Sequence, residues 1–131
     1  MADEAVCLET PTRFTRVTVA DGTALTRGTI MKLSADPNTA IASSGADVFA
    51  GILWDSKTAS DGTTEVNVAL DGKWDIKCAG SAVTLGALVA LSGANLIRNS
   101  VEADFPLGAV LGKSLETGSA SEVIAVRVGV I

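Results

Sequence analysis

One stretch of the sequence occurs twice, and this repetition decides the fold. The first copy reads Gly22-Thr-Ala-Leu-Thr-Arg-Gly-Thr-Ile-Met-Lys-Leu-Ser34, and the second, fifty-eight residues later, reads Gly80-Ser-Ala-Val-Thr-Leu-Gly-Ala-Leu-Val-Ala-Leu-Ser92. With an offset of fifty-seven, residues 49–53 match residues 106–110, and Glu65-Val66 matches Glu122-Val123. A solenoid usually needs at least three units. We therefore expect two pseudo-repeated units, about residues 17–73 and 75–131, with about four strands each in one barrel or sandwich.

Strand patterns fill both units. Aliphatic or β-branched residues alternate with polar ones in the segments Arg16–Val19, Thr64–Leu70 and Glu122–Val128, which is typical of half-buried strands. The turn-forming pairs between strands are Asp21-Gly22, Asp61-Gly62 and Asp71-Gly72. Hydrophobic residues make up 47% of the chain and aromatic residues only 4%, which favours thin layers of sheet. The prediction is an all-β fold, with residues 13–131 as a single β domain of ordinary size.

The first dozen residues differ from the rest. They begin with the acidic sequence Met1-Ala-Asp-Glu-Ala, contain no strand pattern and end near Pro11. We expect residues 1–12 to form an extended N-terminal arm outside the core. The start of the chain also lacks the basic and apolar regions of a signal peptide, so we expect synthesis in the cytoplasm.

The segment Cys78–Ile97 contains no charged residue and is long enough to cross a bilayer as a helix. Three glycines and several polar residues interrupt it, as in strands and turns. The matching positions of the first copy include Arg27, Lys32 and Asp36, so a membrane location is not expected. We expect a strand pair whose apolar outer face is covered by a neighbouring subunit.

The composition argues against catalysis and against several kinds of ligand. The chain has no His and no Tyr, which removes the commonest general base and the commonest metal ligand. Ser56-Lys57 and Lys113-Ser114 are adjacent pairs whose side chains point to opposite faces of a strand. Acidic residues outnumber basic ones by 15 to 10, which disfavours nucleic acid. We expect no enzyme activity, metal or cofactor.

A few residues remain as candidates for contacts. Trp54 and Trp74 are the only tryptophans; each is either a core plug or an anchor for a partner, since Trp is enriched at interface centres. Arg13 and Arg16 follow the acidic arm and suit a segment that pairs with a partner's edge strand. Cys7 and Cys78 fit no metal-ligand spacing, and the sequence leaves open whether they are bridged.

The chain resembles the small β-rich head decoration, or cement, proteins of tailed phages. The resemblance rests on three segments and covers residues 14–131. The segments are Val19-Ala-Asp-Gly-Thr-Ala-Leu-Thr-Arg-Gly-Thr-Ile30, Val48-Phe-Ala-Gly-Ile52 and Val66-Asn-Val-Ala-Leu-Asp-Gly72.

The resemblance implies a structural virion protein that binds the outside of an assembled capsid and stabilises it, commonly as a trimer at three-fold positions. Its partners would be the major capsid protein and itself. The N-terminal arms of such proteins contact the capsid. The resemblance therefore implies, from their position in the chain alone, that the following residues contact the capsid: Ala2, Asp3, Glu4, Cys7, Glu9, Arg13 and Arg16. The alternative is a ligand-binding β-sandwich, for example for carbohydrate, although two Trp without Tyr supply few aromatic platforms.

Overall fold

The computed structural model describes residues 3–129 and is nearly all β, which confirms the predicted fold class. Its one helix is α1 (Asp104–Leu107), a single turn that is far too short to cross a membrane. The strands are β1 (Val6–Glu9), β2 (Phe14–Thr18), β3 (Ile30–Ala35), β4 (Thr39–Ala42), β5 (Phe49–Leu53), β6 (Glu65–Ala69), β7 (Gly72–Cys78), β8 (Leu88–Gly93), β9 (Leu96–Asn99), β10 (Val110–Ser114) and β11 (Val123–Val128).

The two sequence units form two closed barrels of five strands each. The first barrel has the order β2-β4-β3-β5-β6, and the second has the order β7-β11-β10-β8-β9 and closes by a pairing of β7 with β9. Each barrel contains one parallel pair, β2–β4 or β7–β9, among antiparallel ones. Each unit therefore supplies five strands to its barrel, one more than the four that were predicted. The four-residue strands β4 and β9 are too short to show a clear alternation in sequence.

Matching residues occupy matching places in the two barrels. Gly28 and Gly86 both have positive φ, 93° and 80°, and their N–H groups donate to the carbonyls at the ends of β5 and β10. The later alignment has to be corrected. Met31 pairs with Gly51, and Val89, fifty-eight residues after Met31, pairs with Gly112. Gly51 therefore corresponds to Gly112 and not to Gly108, because the second unit contains an insertion before β10.

Gly51 and Gly112 allow each barrel to close. A Cβ atom at Gly51 would overlap the Val68 side chain, and one at Gly112 would overlap the Arg127 backbone carbonyl. Both glycines lie at irregularities in the pairing with β3 or β8, where a glycine lets two strands approach closely. The same residue is needed at the same place in both barrels.

The two barrels share one of the two hydrophobic clusters. Met31 packs in the interior of the first barrel with Val17, Leu53 and Val66. Its neighbour Ile30 points to the opposite face and packs with residues of the second barrel. Ile52 and Ala69 continue this outer row across β5 and β6, and all three residues are fully buried. The outer face of the first barrel is therefore core.

Hydrogen bonds fix this junction. The N–H of Ile30 donates to Oδ1 of Asn95 at 2.8 Å, and the hydroxyl of Ser43 donates to the carbonyl of Gly93 at 3.1 Å. The N–H of Phe49 donates to the carbonyl of Gly108 at 2.9 Å. Asn95 and Ser43 are buried, so these bonds are shielded from water and set the relative position of the barrels.

The N-terminal segment belongs to the fold, which corrects the prediction of an arm outside the core. β1 pairs antiparallel with β7 of the second barrel. Ala5 is buried, and its N–H donates to the carbonyl of Gly28 in the first barrel at 2.8 Å. The sequence of β1 shows no alternation of apolar and polar residues, because its outward-facing residues, Val6 and Leu8, are apolar like the inward-facing Cys7. The segment therefore joins both barrels.

The segment Cys78–Ile97 is covered by its own barrel. Val83, Val89, Leu91 and Ile97 are fully buried within the chain, and Leu85, at 61% exposure, is the one large hydrophobic residue of this segment on the surface. The hypothesis that a neighbouring subunit covers the apolar face of this strand pair is therefore wrong for these four buried residues, whereas Leu88 is half-buried. The closed barrel supplies an interior that the linear sequence does not show.

The barrel-closing glycines give the first testable prediction. We expect Gly112→Ala to lower the free energy of unfolding by roughly 2–4 kcal/mol, because the added methyl group must displace the backbone of β11. Gly80→Ala is the matched control, since a Cβ there would meet no atom within 4 Å. Urea unfolding of both variants measures the difference. Equal stabilities would contradict a role for Gly112 in closure.

The second prediction concerns β1. We expect deletion of residues 1–10 to lower the unfolding midpoint and to shift tryptophan fluorescence to the red, because β1 covers the edge of β7 beside Trp74. Thermal unfolding followed by fluorescence measures both effects. An unchanged midpoint would mean that the segment is independent of the fold, as the sequence alone suggested.

Candidate interaction surface

The buried Lys57 is a structural residue. Its ammonium group donates to the carbonyls of Asp21, Thr23 and Thr58 at 2.7–3.0 Å and lies 3.6 Å from Asp61. Its three protons are thus engaged, and the neighbouring hydroxyl of Ser56 accepts a bond from the N–H of Arg27. The Ser56-Lys57 pair forms no nucleophile and base. No local pattern in the sequence marks Lys57 as buried.

Lys57 provides the third prediction. We expect Lys57→Met to lower the free energy of unfolding by about 1–3 kcal/mol, because three carbonyls that now accept hydrogen bonds from it would lose their donor. Urea unfolding measures the loss. Stability equal to that of the wild type would show that water replaces the ammonium group without cost.

The remaining chemistry-bearing groups form no reactive cluster. Among residues 3–129, no three His, Cys, Asp or Glu side chains are grouped so as to hold a metal ion. Both cysteines are free. Cys7 lies opposite Trp74, four residues from Cys78 along β7, so about 13 Å separates them and they cannot form a bridge. Desolvation raises the pKa of the Cys7 thiol, against the opposing charge of Arg27.

The two tryptophans hold the barrels together. Trp74 is 0% exposed and donates from Nε1 to the carbonyl of Asp71 at 3.0 Å. Trp54, on the first barrel, meets it edge to face with 6.2 Å between ring centroids, and also contacts Phe14. The guanidinium carbon of Arg27 lies over the Trp54 ring, 4.3 Å from its centroid. The prediction that Trp74 anchors a partner is wrong, and Trp54 serves the same internal contact.

The predicted capsid contacts near the N-terminus are mostly used within the chain. Asp3 pairs with Lys77 at 3.3 Å, and Glu9 lies 3.8 Å from both Lys73 and Arg127. Other outcomes differ by residue: Ala2 lies outside the described residues, Glu4 is half-buried, Cys7 packs against the core, and Arg13 and Arg16 are exposed.

A carboxylate fixes the connection from β1 to β2. The side chain of Asp71 accepts from the N–H and hydroxyl of Thr12 at 2.8 and 2.7 Å and from the N–H of Arg13 at 3.0 Å. Desolvation acts to raise the pKa of Asp71, but these hydrogen bonds and the charge of Arg13 outweigh it, and the pKa lies below its ordinary value. The backbone of Arg13 is therefore held, while its guanidinium faces solvent.

The insertion in the second barrel forms a rigid loop, here called the α1 loop, residues 100–108. Arg98 and Asp104 form a two-pronged ion pair with both N–O distances at 2.8 Å. The buried Asp104 also accepts from the N–H of Val101 at 2.7 Å. At the other end, Gly108 closes the helical turn with φ of 80° and N–H bonds to the carbonyls of Asp104 and Phe105. Both ends of the loop are fixed.

The α1 loop displays apolar side chains. Val101, Phe105 and Leu107 lie within a stretch of seven residues, and their exposed fractions are 56%, 47% and 45%. The matching connection of the first barrel, residues 43–48, is shorter and contains no helical turn. One signal for it was available in the sequence, since the fifty-seven-residue alignment placed Pro106 in a strand, where proline removes a ladder hydrogen bond.

The ion pair of the α1 loop is stable well into the acid range. The hydrogen bond from Arg98 lowers the pKa of Asp104, and it outweighs desolvation, which acts to raise the pKa. A depressed carboxylate pKa gives stability that is fully present above the unfolded value of about 3.9 and is lost as the pH falls through the folded value. The loop therefore keeps its shape at neutral and mildly acidic pH.

This leads to the fourth prediction. We expect Asp104→Asn to lower the free energy of unfolding by about 2–3 kcal/mol at pH 7, because Arg98 and the N–H of Val101 lose a charged acceptor. As the pH falls below the unfolded value of about 3.9 and through the lower folded pKa of Asp104, the difference from the wild type should shrink, since Asp104 then itself becomes protonated. Urea unfolding at pH 7 and over a series of acidic pH values measures this. A difference independent of pH would contradict the role of the ionised carboxylate.

A scan against protein-family models and a search of curated proteins gave no match to this chain.

Proposed function

We propose that this chain is a structural virion protein that binds the outer surface of a phage capsid and stabilises it, acting as a trimer at three-fold positions. Its partners are the major capsid protein and further copies of itself. The observation that carries the proposal is the α1 loop, where three neighbouring apolar side chains are held in a fixed, exposed arrangement.

The α1 loop is suited to binding because the conformational entropy needed to order it is already lost in the free protein. A loop that is already rigid loses little conformational entropy when a partner covers it. Phe105 and Leu107 offer apolar area of the kind found at the centres of interfaces. The buried Asp104 of the same loop is paired with Arg98, so its own charge is neutralised.

The rest of the molecule suits a stabilising role. Two closed barrels joined by buried hydrogen bonds form a stiff body. A trimer of such bodies would place three α1 loops on one capsid site, so modest individual contacts would combine by avidity. Arg13 and Arg16, which are exposed, supply further proposed contacts with the shell.

Co-sedimentation with capsids tests the proposal. The protein should pellet with capsids that lack their decoration protein, in amounts near those of the major capsid protein. Phe105→Ser combined with Leu107→Ser should weaken this binding at least tenfold without changing the unfolding midpoint, because both side chains are exposed.

Val123→Ser is the control, since Val123 is 53% exposed but lies on β11, away in sequence from the α1 loop. It should bind like the wild type. Normal binding by the double variant would move the contact to another surface, with Arg13 and Arg16 the next to substitute. Absence of wild-type binding to capsids would overturn the proposed function.

A further inference from the structure

The contact between the two barrels is heterologous, since each barrel contributes a different surface to it. The first barrel contributes the face formed by Ile30, Ile52, Ala69 and Ser43, here called the junction face. The second barrel contributes the turn Gly93–Asn95 between β8 and β9, here called the junction turn, together with Trp74 and the carbonyl of Gly108. Because the barrels are pseudo-equivalent, each also carries an unused copy of the surface that the other supplies.

The unused face lies on the second barrel. Leu88 pairs with Lys113, which pairs with Arg127, in the same cross-strand row that Ile30, Ile52 and Ala69 form in the first barrel. Ser100 lies at its edge, where its N–H donates to the carbonyl of Leu88. Ser43 donates to the carbonyl of Ile30 in the same way. We call these four residues, Leu88, Ser100, Lys113 and Arg127, the free face.

The unused turn lies on the first barrel. Residues 35–38 join β3 to β4 and are exposed, as expected for a surface that no part of the chain covers. Asn38 has a φ of 45° and precedes β4, as Asn95, with a φ of 60°, precedes β9. The free turn is one residue longer, since Asp36, Pro37 and Asn38 stand where the junction turn has Ala94 and Asn95. We call residues 35–38 the free turn.

The groups that make the junction hydrogen bonds are repeated at the unused surfaces. Asn95 and Ser43 make those bonds, and their counterparts Asn38 and Ser100 are the same residue types. The side-chain amide of Asn38 donates to the carbonyl of Arg16 at 2.7 Å, while within residues 3–129 no group donates to its Oδ1. A tight turn accounts for Asn at both places, but it does not account for the second serine.

The charges of the unused surfaces are opposite. The free turn contains Asp36, and the free face contains Lys113 and Arg127. Within the described chain neither Asp36 nor Lys113 has an ion-pair partner, and the one partner of Arg127 is Glu9 at 3.8 Å. The junction face, which is covered as soon as the chain folds, is apolar at the corresponding positions. Polar residues suit a face that stays in water until another molecule arrives.

We propose that the free turn of one copy docks on the free face of the next copy and so repeats the internal junction between chains. Asn38 would meet the backbone at Leu88, Ser100 would meet the backbone of the free turn, and Asp36 would meet Lys113 and Arg127. A heterologous contact that closes generates a ring, and three chains would give a ring of six barrels. The inference rests on the self-association in the proposed function and names its interface.

Charge reversal tests the interface in the free protein. Sedimentation velocity at tens of micromolar should show a trimer for the wild type. Asp36→Lys and Lys113→Glu should each weaken association at least tenfold, because each places like charges opposite one another. The chain carrying both substitutions should regain most of the association, since positions 36 and 113 again carry opposite charges and only Arg127 faces a like charge. Glu65→Lys is the control: Glu65 is an exposed acidic residue of β6 that has no ion pair among residues 3–129, and its variant should remain trimeric.

The outcomes separate this inference from the proposed function. Trimers that persist in both single variants would overturn the interface and leave capsid binding untouched. A double variant that stays dissociated would overturn the pairing of the two surfaces. A monomeric wild type would overturn both the interface and the trimer, and co-sedimentation with capsids would then decide separately whether the chain binds a shell. Circular dichroism melting of each variant shows whether it is folded.

Discussion

The rest of the structure depends on the burial of one cross-strand row, Ile30, Ile52 and Ala69, on the outside of the first barrel. A barrel of five short strands has a small interior, and each of the two here is filled mainly by aliphatic side chains. Joining the barrels through an apolar outer row adds a second buried layer without lengthening any strand. The hydrogen bonds made by Asn95 and Ser43 in that layer fix the relative orientation of the two barrels, because buried polar groups tolerate few alternative arrangements.

The aromatic residues extend the same junction to the N-terminal segment. Trp54 and Trp74 meet edge to face, and such a pair adds about 0.5–1.5 kcal/mol beyond its buried area. β1 lies beside Trp74 of the second barrel, and Ala5, the residue before β1, donates a hydrogen bond to the first barrel. One short segment therefore contacts both barrels. The segment that looked most dispensable in the sequence thus belongs to the part of the structure that makes the chain one unit.

The two barrels differ where the second unit departs from the repeat. The α1 loop is an insertion held by the Arg98–Asp104 pair, and it presents apolar side chains that the first barrel lacks. The free face differs from the junction face by substitution. The second barrel has Lys113 and Arg127 at the positions where the first barrel has Ile52 and Ala69. Duplication supplied two equal frameworks, and these differences suit the second barrel for contacts with other molecules.

The sequence by itself determined the β class, the two-unit organisation and the positions of β2, β6 and β11. Alternating side chains and Asp-Gly turns act over a few residues, so they are legible in a linear chain. It also excluded the familiar histidine-based chemistry. Only the tertiary structure decided that β1 belongs to the fold, that Trp74 and Lys57 are internal, and that Val83, Val89, Leu91 and Ile97 of the charge-free segment are buried within the chain. These outcomes depend on which faces of closed barrels meet, and contacts between residues distant in sequence leave no periodic signal.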